Sequence, residues 1–145
     1  MTNFGLYVLN DIYLDTLYPD KYPQDKNDKR PFYLAIKDDS KEQVYWCIPL
    51  SSKTEKYAPI IKKIPNAGII AHLYGEKDSA ILTQNIVPVP VHYIEREFML
   101  NDIHFVIKDS NLINEIDKKA RVIIALIKNK NFKFFENCKE MYNSL

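Results

Sequence analysis

The sequence predicts an α+β domain: a twisted, mainly antiparallel β-sheet with helices packed on it and a helical pair at the C-terminal end. Three observations predict this. Apolar, β-rich runs occupy the early and middle chain, at Phe4–Leu9, Pro31–Lys37, Gln43–Leu50 and Ala67–Tyr74. A short polar connection of hairpin composition joins the second and third of them, and the clearest helical period comes last, from Ser110 onward. The 145 residues fit a single domain, 1–145, large enough to bury a core without metal or disulfide staples. A content of 46% apolar and 27% charged residues excludes a disordered chain.

Phe4–Leu9 reads as a short strand, and Asp11 reads as the N-cap of one or two helical turns carrying Ile12, Leu14, Leu17 and Tyr18. Pro19–Arg30 is polar and holds Pro19 and Pro23, which makes it a surface loop with a basic end at Lys26, Lys29 and Arg30. Pro31–Lys37 and Gln43–Leu50 are joined by Asp38–Glu42, the composition of a hairpin connection. An antiparallel pair joined this way brings the start of its first strand to the end of its second. Lys29 and Arg30 are therefore expected beside Ser51, Ser52 and Lys53.

After a loop with room for a short helical turn around Tyr57–Lys63, Ala67–Tyr74 reads as a strand, Gly75–Asp78 as a turn and Ala80–Gln84 as the returning strand. Asn85–Val91 carries prolines at 88 and 90 and belongs on an edge or a bend. His92–Ile107 has weak period, leaving helix and strand both open. Ser110 is the expected N-cap of a helix with Leu112, Ile113, Ile116, Ala120, Ile123, Ile124 and Ile127 on one face. Lys128 and Lys130 suit its C-terminal end. A second helix is expected from about Asn131, with Phe132, Phe135, Cys138 and Tyr142 as its stripe.

Function classes narrow from here. A net charge of +1 neither demands nor excludes nucleic acid. Cys47 and Cys138 stand alone and far apart, giving neither a zinc pattern nor a disulfide framework. No signal peptide or membrane-length apolar run is present, which reads as a soluble, reduced, cytoplasmic protein with no membrane partner. With glycines only at 5, 68 and 75 there is no phosphate-cradling glycine loop. The histidines, His72, His92 and His104, match no metal spacing. His72, in an apolar strand, reads as a packed residue or as a general acid or base, and spacing selects none of the three. Glu95, Arg96 and Glu97 read as a solvated charged face.

One stretch stands out, YWCIPLSSKTEKYAPIIKKI at 45–64. A buried strand delivers Ser51, Ser52 and Lys53 to a loop, where hydroxyls and amines can orient a phosphodiester and stabilise its developing charge. The bland reading is a strand end with a solvated lysine, and it stays open. Lys53–Lys63, with Lys56, Tyr57, Lys62 and Lys63, reads as a track for a nucleic-acid backbone with Tyr57 as a stacking ring, or as an ordinary exposed segment.

Several short blocks, in order, resemble the ToxN/AbiQ superfamily of type III toxin–antitoxin endoribonucleases. They are Lys-Tyr-Pro at 21–23, Arg30-Pro31-Phe32 opening a strand, PLSSK at 49–53 and IVPVP at 86–90, followed by C-terminal helices. The resemblance implies a Kid/MazF-toxin-like sheet and cleavage of cellular and phage RNA without metal or cofactor, leaving a 2′,3′-cyclic phosphate. It also implies inhibition by a structured repeat RNA, a pseudoknot, within a toxin–RNA hetero-oligomer. Ser51 and Ser52 match the family's catalytic pair, Arg30 or Lys29 its basic residue, and Lys53 the lysine after the serines. The chain departs from the family where Ser52-Lys53-Thr54-Glu55-Lys56-Tyr57 replaces a Ser-Pro-Lys and a following Lys-His pair, so Lys53 and Lys56 compete for one role. The alternatives are a non-catalytic RNA-binding module, or a protein-interaction domain with a solvated basic loop.

Overall fold

The computed structural model describes residues 1–17 and 30–145, so the expected Pro19–Arg30 loop lies outside it except for Arg30. β1 (Leu6–Leu9) leads into α1 (Asp11–Leu17). The hairpin of β2 (Pro31–Lys37) and β3 (Val44–Ser51) is followed by α2 (Thr54–Lys63). Next come β4 (Ile69–Ala71), β5 (Ser79–Ile81), β6 (Val87–Pro90), β7 (Ile94–Glu97), β8 (Met99–Leu100) and β9 (Ile103–His104). Two helices close the chain, α3 (Ser110–Asn129) and α4 (Glu136–Ser144). Among the described residues all strand pairings are antiparallel, in the order β4-β5-β3-β2-β1-β7, with β8–β9 as a separate ribbon.

β3 lies at the centre because it pairs along both edges. β2 takes one edge with Phe32 opposite Pro49, and the other is shared by β6, along Val44–Cys47, and β5, along Leu50–Ser51. Its side chains alternate as the pleat requires. Trp46, Ile48 and Leu50 join Leu6, Tyr33, Ile69 and Ile81 under the Ile116, Ala120, Ile123, Ile124 and Ile127 stripe of α3. Cys47 faces the other way, with Tyr7, Leu9, Phe32, Leu34, Val87, Val89 and Tyr13 of α1.

The proline-bearing strand β6 sits on an edge, as expected. Val91 N–H reaches Gln43 O on the β3 side, so the even-numbered residues direct their backbone groups outward and the prolines remove no ladder donor. The outward carbonyls still find partners: Tyr13 Oη donates to Pro88 O, and Cys138 Sγ lies 3.4 Å from Ile86 O. Burial pushes the Tyr13 hydroxyl well above the ordinary tyrosine range and the Cys138 thiol up to about 12, so both stay protonated donors.

Some boundaries differ from the sequence reading. Asn10, not Asp11, caps α1 by accepting Ile12 N–H at 2.8 Å, and Asp109, not Ser110, caps α3 by accepting the Asn111 and Leu112 amides. Asp109, one residue before the expected cap, has the extended backbone that a cap needs. The loop at 53–64 is a ten-residue helix with Pro59 inside it. The last helix begins at Glu136 rather than near Asn131, after a 3₁₀ turn at Lys133–Phe135, and Phe132 is 51% exposed instead of packed. The undecided span 92–107 forms β7–β9.

The β2–β3 connection hides a buried carboxylate. Asp38 is 6% exposed and accepts from Trp46 Nε1–H at 2.9 Å, the Ser40 and Lys41 amides and Tyr142 Oη, with Lys128 Nζ at 3.0 Å. Burial alone would raise its pKa, but these donors overrule that and hold it well below the usual carboxylate range. A carboxyl depressed on folding contributes stability that is whole above its ordinary value of 3.8 and lost as pH falls below it. Asp38→Asn is expected to cost about 3 kcal/mol at pH 7. Thermal melts of variant and wild type should converge between pH 4 and 2; a gap that is constant with pH would contradict the assignment.

Candidate active site

The register of the β2–β3 hairpin assembles the first half of the site. Continuing it two residues beyond Phe32 and Pro49 sets Arg30 across from Ser51, and β5 sets Ala80 against Ser51 from the other side. The two-residue period puts Arg30 and Ser51 on the face turned away from α3. Ser51 is 7% exposed, and its Oγ accepts Lys53 N–H at 3.1 Å. That contact, with Thr54 N–H on Ser52 O at 3.0 Å, turns the chain out of the strand and into α2. Ser52 and Lys53 are left exposed at the turn.

A third segment completes it. The β4–β5 turn, Tyr74–Ser79, faces Arg30, Pro31 and Leu50–Lys53 across a cleft of about 390 Å³. A neighbouring cleft of about 570 Å³ continues past the same ridge and is lined by Ser52–Lys56, Lys77 and Asp78. The two share Ser52, Lys53, Lys77 and Asp78. From sequence Gly75–Asp78 is expected only as a turn, and nothing there marks Lys77 and its neighbours as part of a site. The signal was present: β3 has an end as well as a start, and the strand pairing with that end carries its turn to Ser51.

The cleft balances Arg30, Lys53, Lys56 and Lys77 against Glu55, Glu76 and Asp78. Asp78 is engaged by His72, Nδ1 to Oδ1 3.4 Å. Tyr74 packs edge-on to Phe105 at 5.2 Å and beside Phe98 at 5.7 Å, and burial raises the pKa of its hydroxyl. Phosphate contact suits such a place, because charge-assisted bonds from Arg and Lys strengthen where water is partly excluded.

Of the residues expected from sequence, Arg30, Ser51, Ser52 and Lys53 come together in the first cleft, and Lys56 lines only the second. Lys56 Nζ lies 5.3 Å from the ring centre of half-buried Tyr57. Lys62 and Lys63 occupy the last turn of α2, roughly 12 Å along the axis from its start, so they are not at Ser52. Lys29 lies outside the described residues. His104 is tied to Leu6 O at 2.9 Å and Glu97 at 3.2 Å, and His92 lies against Tyr93. Only His72 is near the turn. Among the described residues no group of three or more His, Cys, Asp or Glu side chains could hold a metal ion, and no helix is long and apolar enough to cross a membrane.

The architecture defines a fold class, α+β, with an antiparallel sheet and helices on its faces. That class has a solved representative. The chain superposes with a TM-score of 0.66 over 99% of its own length and 100% of the other chain on AbiQ, a lactococcal anti-phage endoribonuclease belonging to a type III toxin–antitoxin system. At 15% identity the likeness is one of fold, and it bears out the fold expected from the sequence blocks. No family model and no curated protein matches the sequence.

The position of the third segment depends on one close approach. A Cβ on Gly68 would stand 2.7 Å from Ile81 O and 3.1 Å from Ile61 Cδ1, so only glycine lets β4, β5 and α2 meet there. Gly68→Ala is expected to lower stability by about 1–3 kcal/mol and to shift the amide resonances of Lys77 and Asp78. A variant with unchanged melting and an unchanged turn spectrum would contradict this.

Proposed function

We propose that this protein is the endoribonuclease toxin of a type III toxin–antitoxin system, cleaving RNA without metal and leaving a 2′,3′-cyclic phosphate. One observation carries the reading: Arg30, Ser51, Ser52 and Lys53 line one cleft, on a fold shared end to end with AbiQ. In this chemistry the RNA's own 2′-oxygen bonds to phosphorus as the bond to the 5′-oxygen breaks. One proton leaves the 2′-hydroxyl and another reaches the departing oxygen. The protein's task is to hold the phosphate in line and offset the charge of the five-coordinate intermediate.

Ser52, the exposed hydroxyl, meets the scissile phosphate or relays a proton. Ser51 accepts Lys53 N–H and so fixes the turn, while keeping its own hydroxyl proton to donate. Arg30 and Lys53 offset the developing charge. Lys53 takes this role ahead of Lys56, because Lys53 lines both clefts and Lys56 only the outer one. Lys56, Tyr57, Lys62 and Lys63 then form a backbone track along α2 for the RNA substrate and for an inhibitory pseudoknotted repeat RNA, in a toxin–RNA hetero-oligomer.

The test is incubation with RNA in excess chelator, followed by analysis of the ends. Cleavage with cyclic-phosphate ends is expected, and Ser51→Ala/Ser52→Ala should slow it by roughly 10²-fold or more with RNA affinity little changed. A divalent-metal requirement, or full activity in the double variant, would overturn the mechanism. Salt-sensitive binding without cleavage would instead identify a non-catalytic RNA-binding module.

A further inference from the structure

The two clefts on either side of the Ser52–Lys53 ridge differ in chemistry. The inner one has apolar walls from Pro31, Leu50 and Tyr74 beside Arg30, Ser51 and Glu76. The outer one has none, being lined entirely by polar or charged side chains. A polynucleotide alternates between flat, largely apolar bases and charged phosphates, so paired compartments of these two kinds divide its parts. Bases are read by stacking and by hydrogen bonds to their edges, whereas phosphate contacts position the chain without reading sequence.

We infer that the inner cleft is a nucleobase pocket in which Glu76 selects the base flanking the scissile phosphate, while the outer cleft holds a neighbouring phosphate on Lys56 and Lys77. The inference rests on the endoribonuclease reading above and adds to it the source of sequence selectivity. At about 390 Å³ the inner cleft falls within the roughly 300–1,000 Å³ of small-ligand sites. Among the described residues no side chain pairs with Glu76, whereas Asp78, the other carboxylate in that cleft, is engaged by His72. Gly75, just before Glu76, has φ +70, a left-handed turn that presents the carboxylate at the tip of β4–β5. A carboxylate accepts hydrogen bonds only, so it favours adenine, cytosine or guanine, each with an exocyclic amine. Uracil offers one imino donor flanked by two carbonyls and is disfavoured.

Two measurements test this together. Cleavage of a randomised RNA pool by wild type, Glu76→Gln and Lys56→Ala is read by sequencing the ends. Binding of the four ribonucleoside 3′-monophosphates is followed by NMR at Tyr74 and Gly75. Wild type should discriminate against uridine by about tenfold at one position beside the cut. Glu76→Gln, whose amide both donates and accepts, should erase that preference at that position alone. Lys56→Ala should slow all sequences alike. Unchanged base preference in Glu76→Gln, or mononucleotide shifts that spare the inner cleft, would overturn the inference. Base-selective mononucleotide binding to a wild type that cuts no RNA would keep the pocket and overturn the endoribonuclease reading instead.

Discussion

β3 is bonded along both edges, and every part of the site takes its position from that constraint. The edge shared with β2 brings Arg30 to the end of β3, and the edge shared with β5 brings the Tyr74–Ser79 turn to the same end. Both alignments are fixed by which residues face α3. A slip of one residue would turn Trp46, Ile48 and Leu50 away from the helix and send Ser51 under it. The burial of three large side chains therefore fixes the address of a small hydroxyl.

The two ends of β3 do different work. At its hairpin end Asp38 gathers donors from Trp46, Lys128 and Tyr142, and stacking of Trp46 on Tyr142 at 5.3 Å locks α3 and α4 to the sheet. At the other end, about 23 Å away by strand geometry, the chain leaves the sheet through exposed residues. Cations at the exposed end, Arg30, Lys53, Lys56 and Lys77, lie between the carboxylates Glu55, Glu76 and Asp78 rather than in one uniform field. A reactive turn on a rigid strand is the usual place for chemistry, because packing fixes the strand while the turn stays reachable.

The β2–β3 hairpin was legible because two β-rich, largely apolar runs flank a short charged connection, and from that alone Arg30 could be set beside Ser51. Asp38 was legible only as a turn residue; its burial depends on Lys128 and Tyr142, both far away in sequence. α2 was obscured by Pro59 and by the lack of any fully buried residue, so its period was faint. The cap positions missed by one, since Asn10-Asp11 and Asp109-Ser110 each offer adjacent acceptors and the amide each one reaches decides between them. Lys77 and Glu76 were hidden for a different reason. Nothing local marks them, and their role follows from pairing β5 with three-dimensional neighbours rather than from a motif.

The central claim is that three segments, opening β2, closing β3 and turning β4 into β5, form one phosphate site. A structure of the protein bound to an RNA oligonucleotide blocked at its 2′-hydroxyls tests it most directly. The account predicts a backbone phosphate between the Arg30 guanidinium and the Ser52 hydroxyl, with Lys53 and Lys77 within reach on either side. RNA lying only along α2, with its phosphates outside the cleft and no contact to the β4–β5 turn, would contradict it.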